Sequence, residues 1–223
     1  METQQPLEEM AAFFNKRCDI YDEVHTSHIG GGLESKRVLA SFLPAETRTL
    51  LDLGIGTGLE LEAIFARFPA VQVTGLDIAD KMLDKLRDKY PGRRLTLRVE
   101  DYLTADLGRD RYDAALSVMT LHHHTHDVKR ALYRRIRDCL RPGGVYIESD
   151  YILTGGGAQE QEEAYFAAYR RLKREQGIAD GVACHFDTPC TLENEMRLIR
   201  EAGFTGVDVM WQRENTVALR AVR

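Results

Sequence analysis

A run of glycines follows a short predicted strand in the first third of the chain. Residues 49–53 read Thr-Leu-Leu-Asp-Leu, and Gly54, Gly56 and Gly58 come directly after them. Glycine lets the backbone turn sharply and lets a ligand approach it closely, because no Cβ is in the way. A buried strand that runs into such a loop and then into a helix predicts a binding site at the carboxyl end of a parallel sheet.

The charge beside this loop distinguishes two classes of ligand. Dinucleotide-binding loops follow the pattern G-x-G-x-x-G, whereas Leu59 stands here where the third glycine belongs. Asp52 precedes Gly54 by two residues, and its carboxylate would repel a pyrophosphate. The same carboxylate suits a ligand with an ammonium and a sulfonium group and no phosphate. S-adenosylmethionine is such a ligand.

Two further carboxylates follow the next two predicted strands. Asp77 ends the second strand and lies 19 residues beyond Gly58, which fits a strand–helix–strand unit. A carboxylate at this point can accept hydrogen bonds from both hydroxyls of a ribose. Asp101 and Tyr102 follow the third strand. There a carboxylate can accept from an adenine amino group, and an aromatic ring can cover the base.

Four histidines follow the fourth predicted strand, beside the expected position of a transferable methyl group: His122, His123, His124 and His126. Histidine is the side chain best suited to act as a base near neutral pH. We expect His122 or His123 to contact the acceptor or the methionine end of the cofactor. The alternative is a helix start with hydrogen-bonded imidazoles. Neighbours in sequence cannot all point at one ion, so we predict no metal site.

The elements that must position these residues alternate between strand and helix. Strands are predicted at residues 49–53, 71–76, 95–99, 112–118 and 145–149, with helices at 59–68, 79–90 and 128–140 and a turn at 141–144. Such alternation predicts an α/β fold with a parallel sheet and helices on both faces. The flanking elements are predicted helices at 7–25, 34–43, 158–176 and 192–202 and strands at 207–212 and 216–222. The last two strands lack a connecting helix and predict an antiparallel hairpin at the sheet edge.

The composition fits one enzyme domain. The chain has 223 residues, of which 43% are hydrophobic, enough for one substantial core. The net charge of −5 argues against a nucleic-acid substrate, because such a substrate is usually bound by a basic face. No apolar stretch approaches the roughly 18 residues of a membrane helix, and no secretory signal is present. The four scattered cysteines fit free thiols, so we expect a cytoplasmic protein without a metal site.

Taken in order, these motifs resemble the class I, Rossmann-like S-adenosylmethionine-dependent methyltransferases, and in particular small bacterial enzymes that act on small molecules. The resemblance covers residues 48–150 and rests on the loop 51–58, on Asp77 and Asp101, on Tyr112-Asp113 and on the segment 140–144. It implies a doubly wound, seven-stranded and mostly parallel sheet whose final strand is reversed.

The resemblance also implies roles for individual residues. Cofactor contacts are expected from Asp52, Gly54, Gly56, Thr57, Gly58, Asp77, Ile78, Met82, Asp101, Tyr102 and Ser117. The first helix is similar to an N-terminal lid, in which Tyr21 would either cover the cofactor or pack the helix on the sheet. In-line methyl transfer mainly requires alignment of the reactants, and it requires a base only when the acceptor must lose a proton.

We therefore predict a single domain, residues 1–223, in four parts. These are a helical lid (1–45), a cofactor-binding core (46–150), a cap insertion (151–190) and a final helix with the edge hairpin (191–223). The cap is longer than the fold needs. Tyr151, His185 and Asp187 could line an acceptor pocket there, and the alternative is a solvated helix with ordinary packing.

The predicted function is methyl transfer to a small-molecule acceptor, whose reacting atom the sequence does not identify. A tRNA or protein methyltransferase would show a basic groove beside the cofactor. An enzyme similar to the carboxy-S-adenosylmethionine synthases would use the cofactor itself as substrate. A non-catalytic cofactor-binding module would bind without turnover. Nucleic-acid and membrane partners are not expected, whereas a homodimer is compatible with the sequence.

Overall fold

The computed structural model describes residues 6–27, 30–179 and 181–223. Residues 1–5, 28 and 29 of the predicted lid and residue 180 of the predicted cap lie outside the described residues. The helices are α1 (Met10–Ser27), α2 (Gly32–Leu39), α3 (Leu61–Arg67), α4 (Asp80–Lys89), α5 (His126–Cys139), α6 (Ala158–Glu175) and α7 (Leu192–Glu201). The strands are β1 (Thr49–Leu53), β2 (Gln72–Asp77), β3 (Leu95–Val99), β4 (Tyr112–Val118), β5 (Leu140–Tyr151), β6 (Thr205–Arg213) and β7 (Thr216–Val222).

The seven strands form one sheet in the order β3-β2-β1-β4-β5-β7-β6. The first five strands run parallel, and β7 pairs antiparallel with both β5 and β6. The predicted fold class and the reversed hairpin are therefore confirmed. The order changes direction between β1 and β4, and ligands of open parallel sheets bind at the carboxyl ends of the strands beside such a switch point.

The core lies on both faces of this sheet. Leu50, Leu51 and Leu53 of β1 are fully buried, because helices cover a parallel sheet on both sides. Leu50 packs in the layer under α2, α3 and α4, and Leu51 and Leu53 pack in the layer under α5 and α7. Within the described part of the chain, no helix combines the length and the apolar character that a membrane crossing requires.

Several predicted boundaries differ from the structure, and two of them differ because the chain bonds to distant partners. The predicted turn at 141–144 belongs to β5, which begins at Leu140 and contains an irregular register with β4. Its peptide groups pair with the end of the chain, since the Gly143 N–H donates to the Arg223 carbonyl at 3.2 Å. The first helix begins at Met10 instead of residue 7. Residues 8 and 9 instead bond to the cap, where the His185 N–H donates to the Glu8 carbonyl at 2.9 Å.

The cap consists of α6 and the segment that leads from it to α7. Gly155, Gly156 and Gly157 precede α6, and the first two have open space around them. The Tyr169 ring of α6 stacks on the Phe186 ring of the segment that follows, with centroids 5.4 Å apart. Thr191 is the N-cap of α7, because its hydroxyl accepts from the Asn194 N–H. The cap is thus connected to the core by the glycine segment before α6 and by the capped start of α7.

Candidate active site

The glycine loop after β1 forms the floor of a cavity at the carboxyl end of the sheet. Gly54 and Gly56 have φ values of +67° and +52°, in the left-handed region that favours glycine. A Cβ on Gly54 would lie 2.4 Å from the Thr120 hydroxyl, so the loop after β4 requires a glycine here. A Cβ on Gly56 would meet only the Tyr21 ring, 3.9 Å away. The backbone at Gly56 is therefore open to a ligand.

Asp77 is held at the end of β2 by two backbone donors. The Gly56 N–H donates to one carboxylate oxygen and the Ala79 N–H to the other, both at 2.8 Å. Each oxygen keeps a second lone pair, and the residue borders the cavity. Asp77 therefore ties the glycine loop to the second strand and still offers acceptor capacity to a ligand with two neighbouring hydroxyls.

Polar and aromatic groups close the far end of this first cavity. Asp101 accepts from the Leu103 N–H at 2.8 Å and keeps its second oxygen free of described donors. The Tyr102 hydroxyl donates to Nε2 of His124 at 2.6 Å. Burial lowers the pKa of His124 to about 3, so the imidazole is neutral and can accept this bond. The arrangement offers a carboxylate beside a fixed aromatic ring, as recognition of a purine requires.

Helix α1 covers the first cavity. The Asp22 carboxylate bonds to the Thr57 hydroxyl in the glycine loop, and the Lys89 ammonium donates to it at 3.0 Å. Phe14 and Tyr21 border the cavity from the same helix. Under this cover the free volume is only about 50 Å³. A ligand of nucleoside size therefore needs more room than the cavity has in this structure.

A second cavity of about 330 Å³ adjoins the first. The two share four wall residues: Phe14, Tyr21, Met119 and His123. Met119 has a backbone φ of +52°, a value that residues other than glycine rarely adopt. This backbone conformation lies where the two cavities meet, and such strained positions concentrate at functional sites.

A carboxylate–imidazole pair lies in the wall of the second cavity. Asp150, near the end of β5, bonds to Nδ1 of His122 with one oxygen. Its other oxygen accepts from the Leu121 N–H at 2.7 Å. Burial lowers the pKa of His122, but the charge and the hydrogen bond of Asp150 outweigh burial and raise it. Burial raises the pKa of Asp150, and the His122 charge overrides this and holds it at about 2. The pair therefore binds a proton firmly, and Nε2, which lies 3.7 Å from an Asp187 carboxylate oxygen, is the nitrogen on the side of the cavity.

The cap supplies a second polar group to this cavity. Nδ1 of His123 lies 3.3 Å from both the Phe186 carbonyl oxygen and the Asp187 carboxylate, and burial, followed by the His122 charge, lowers the pKa of His123. Burial raises the pKa of Asp187, but the bond from His123 and the nearby imidazoles hold it at about 2. The His185 ring stacks on Phe13 with centroids 3.4 Å apart, and burial lowers its pKa to about 4. The mouth of the cavity is thus aromatic, with one negative charge.

Eight of the predicted cofactor residues border the first cavity: Tyr21, Gly54, Gly56, Asp77, Ile78, Met82, Asp101 and Tyr102. All four predicted catalytic and substrate residues border the second: His122, His123, Tyr151 and His185. Asp187, which the sequence placed with them, lies there as well.

Four predicted cofactor residues lie elsewhere, each for a structural reason. The Ser117 hydroxyl bonds to the Tyr146 hydroxyl at 2.6 Å in the layer under α5, because successive residues of β4 face opposite sides. A Cβ on Gly58 would lie 2.3 Å from Leu86, so this glycine allows close packing of α4. Thr57 binds Asp22. Asp52 lies fully buried against Glu60, and burial and the Glu60 charge raise its pKa.

Several residues of the two cavities were given no individual role from the sequence, although His124 belongs to the predicted histidine group. The first is also lined by Met10, Phe14, Leu103, Met119, Thr120, His124 and Ala183, and the second by Phe13, Arg17, Ile20, Val24 and Thr216. Asp150 is the most important omission. Its position at the end of β5, next to the histidines after β4 in a parallel sheet, is the signal that could have found it.

The seven-stranded sheet, its reversed final strand and the glycine loop after β1 define the fold of the class I methyltransferases. Residues 50–144 match the family model described as a methyltransferase domain. A solved structure of human N-acetylserotonin methyltransferase in complex with S-adenosylmethionine has the same fold, with a TM-score of 0.67 and 16% identity. That alignment covers 96% of this chain and 56% of the human one. The chain therefore has the fold of the class I methyltransferases, and residues 50–144 are similar to a methyltransferase domain.

Two curated relatives are similar along most of the chain. An O-methyltransferase of Penicillium expansum is 25% identical over an alignment of 195 residues, which covers 85% of this chain and 64% of that protein. A carboxy-S-adenosyl-L-methionine synthase of Chromohalobacter salexigens is 28% identical over an alignment of 189 residues, which covers 77% of this chain and 67% of that protein. The chain spans about two thirds of the length of each of these two relatives.

Proposed function

We propose that the chain catalyses S-adenosylmethionine-dependent methyl transfer to a small-molecule acceptor whose reacting group must lose a proton, such as a hydroxyl. One observation supports this most strongly. A cavity lined by the glycine loop and the strand-end carboxylates adjoins a second cavity that contains a carboxylate–imidazole pair. The family match of residues 50–144 and the O-methyltransferase of Penicillium expansum support the same activity.

The residues of the first cavity fit the cofactor. The open backbone at Gly56 leaves room for its methionine end, and Asp77 keeps lone pairs for the two ribose hydroxyls. Asp101 would accept from the adenine amino group, and Tyr102 would lie against the ring. When bound, the cofactor supplies a methyl carbon already activated by the sulfonium. No phosphate-binding group is required from the protein.

His122 would receive the proton that the acceptor loses. Its Nδ1–H is held by Asp150, which fixes the tautomer and leaves the Nε2 lone pair toward the second cavity. The acceptor oxygen would give its proton to Nε2 and bond to the methyl carbon as the bond from that carbon to the sulfonium breaks and S-adenosylhomocysteine leaves. The Asp150 carboxylate would balance the new positive charge on His122. Positioned bases of this kind contribute roughly 10²- to 10⁴-fold in rate. Phe14 and Tyr21 on α1 would exclude water from both cavities.

The lining of the second cavity restricts the acceptor. A volume of about 330 Å³ fits a small molecule and is too small for a folded macromolecule. Arg17 is the one arginine or lysine among its lining residues, and it is paired with Glu8 at 3.0 Å. Asp187 adds a negative charge. We therefore propose a neutral or cationic acceptor with an aromatic portion, and neither nucleic acid nor protein as substrate.

The same electrostatics disfavour the second candidate function. A carboxy-S-adenosylmethionine synthase is among the relatives, and formation of a carboxylated cofactor requires an anionic carboxyl donor. Such a donor would enter next to Asp187 and find no unpaired cation among the lining residues.

The four-part division into lid, core, cap and edge hairpin belongs to our proposal, as does a cytoplasmic location consistent with the four free cysteines. A homodimer is left to be tested by light scattering.

Calorimetric titration of the purified protein tests the cofactor assignment. We expect S-adenosylhomocysteine to bind and NADH not to bind. Asp77→Ala should weaken the binding of S-adenosylhomocysteine at least tenfold, because hydrogen bonds to a charged group contribute about 1.5–3 kcal/mol each. Asp88→Ala, on the exposed face of α4, is the matched control and should leave affinity unchanged. Binding of NADH alone, or unchanged affinity of Asp77→Ala for S-adenosylhomocysteine, would overturn the assignment of the first cavity to the cofactor.

A module without catalytic activity would bind S-adenosylhomocysteine but would never methylate an acceptor.

A further inference from the structure

Three potential metal ligands meet between the cap and the core, outside both cavities. They are His126 at the start of α5, Glu162 in α6 and Cys190 just before α7. One ligand atom from each lies within 4.8 Å of the other two. Glu162 and Cys190 are buried, and His126 is partly exposed. Inspection of the sequence does not reveal this group, because its members are 36 and 28 residues apart along the chain.

The carboxylate of this group is already oriented. One oxygen of Glu162 accepts from the Thr191 N–H at 2.8 Å and from the Asn194 side-chain amide at 2.9 Å. Its other oxygen bonds to Nε2 of His126. Hydrogen bonds that fix a carboxylate in this way are the usual supporting contacts of metal sites.

The charges around the group balance a divalent cation. The Glu162 carboxylate and a Cys190 thiolate together carry two negative charges. The thiol also lies near Glu195 and Lys129, which form a buried ion pair and together add no net charge. Burial and the Glu195 charge raise the pKa of the Cys190 thiol, so the bound ion itself would have to displace its proton. A divalent ion would therefore neutralise the group without leaving a buried charge unpaired.

We propose that His126, Glu162 and Cys190 bind a zinc-type divalent ion that fastens the cap to the core. A thiolate, an imidazole and a carboxylate are zinc ligands, whereas magnesium and calcium prefer oxygen ligands alone. The partly exposed side of His126 leaves a fourth position for water. The ion would join α5, α6 and the start of α7, and so fix a cap that otherwise follows three successive glycines.

Titration of the full chain with Co²⁺ tests this site without any assay of activity. We expect a thiolate-to-cobalt charge-transfer band that saturates at one equivalent and disappears when Zn²⁺ is added. Cys190→Ser should lose the band and weaken Zn²⁺ binding at least tenfold. Cys184→Ser is the matched control, because Cys184 is another buried cysteine of the same cap segment, and it should retain both properties.

The acceptor cavity contains the other set of potential ligands, His122, His123 and Asp187, and a third variant separates the two sites. Asp187→Asn should leave the cobalt band and the zinc affinity unchanged. The proposal is overturned if the wild-type chain shows no charge-transfer band, if Cys190→Ser keeps it, or if Asp187→Asn abolishes zinc binding. None of these outcomes depends on the proposed methyl transfer.

Discussion

At the scale of single residues, the Asp150–His122 pair controls the pH dependence of the proposed reaction. The base must be neutral to accept a proton, and Asp150 raises the pKa of His122 above its ordinary value of 6.5. Activity should therefore rise with pH through this raised pKa and be lost below it. Asp150→Asn removes the charge, so the acid limb of kcat/KM should move to lower pH. The plateau should fall by roughly 10²-fold or more, because Nδ1 of the imidazole is no longer held.

The control for this pH profile is Asp127→Asn, because the Asp127 side chain is 94% exposed at the start of α5, just after the histidine segment. We expect its profile to match the wild type, and circular dichroism should show that both variants are folded. An acid limb that stays in place in Asp150→Asn would show that another group accepts the proton.

Sequence position relative to the predicted strands identified the cavity residues that lie at strand ends. It did not identify the residues whose role depends on contact with a neighbouring strand. Asp77 and Asp101 could be found because each ends a predicted strand. Asp150 also follows a predicted strand but was given no role, since its partner His122 is 28 residues away and meets it only because β4 and β5 are neighbours. Ser117 was assigned to the cofactor because it precedes the strand end. Because successive side chains of β4 point to opposite faces of the sheet, Ser117 lies in the layer under α5 instead.

At the scale of elements, α1 controls access to the first cavity. Asp22 fastens this helix to the glycine loop through Thr57 and to α4 through Lys89. Asp22→Ala should raise the dissociation rate of S-adenosylhomocysteine by roughly three- to tenfold, because a partly exposed charged hydrogen bond contributes about 1–1.5 kcal/mol. Stopped-flow fluorescence measures this rate. Asp19→Ala, on the exposed side of α1, should match the wild type, and equal rates for Asp22→Ala would mean that α1 does not move during exchange.

The boundaries of the elements follow from local sequence wherever one signal dominates. β3 and β4 were predicted at their observed bounds, because short β-rich runs end there against polar or glycine-containing loops. The start of α1 and the start of β5 were missed for the same physical reason. Residues 8 and 9 bond to the cap and Gly143 bonds to Arg223, and such distant partners override local preference.

At the scale of the whole molecule, a buried polar network connects α5, α7 and β5. Lys129 and Glu195 have side chains that are 1% and 0% exposed, and Tyr133 bonds to both Glu195 and Glu148. Lys129→Met should reduce the free energy of unfolding by about 3–5 kcal/mol, because it leaves the Glu195 charge buried and unpaired. Urea denaturation measures this change. The double variant Lys129→Met, Glu195→Met should recover much of the loss.

Arg134→Met, an exposed position of α5, is the control and should change stability by less than about 0.5 kcal/mol. A double variant as unstable as Lys129→Met would contradict the ion-pair explanation and point to lost packing. The sequence could not predict this network, because charged residues on an amphipathic helix normally face water. Only the contact between α5 and α7 places Lys129 and Glu195 in the interior.

The two cavities draw on different stretches of the chain. Twelve of the sixteen residues that line the first lie within the matched domain, residues 50–144, but only Met119, His122 and His123 of the thirteen that line the second do. Selection for a new acceptor can therefore act on α1, the cap and the edge hairpin while most of the cofactor site is inherited unchanged. Proteins with this fold could therefore acquire new acceptors without any change in how the methyl group is supplied. Directed evolution of this protein would best begin at those same segments.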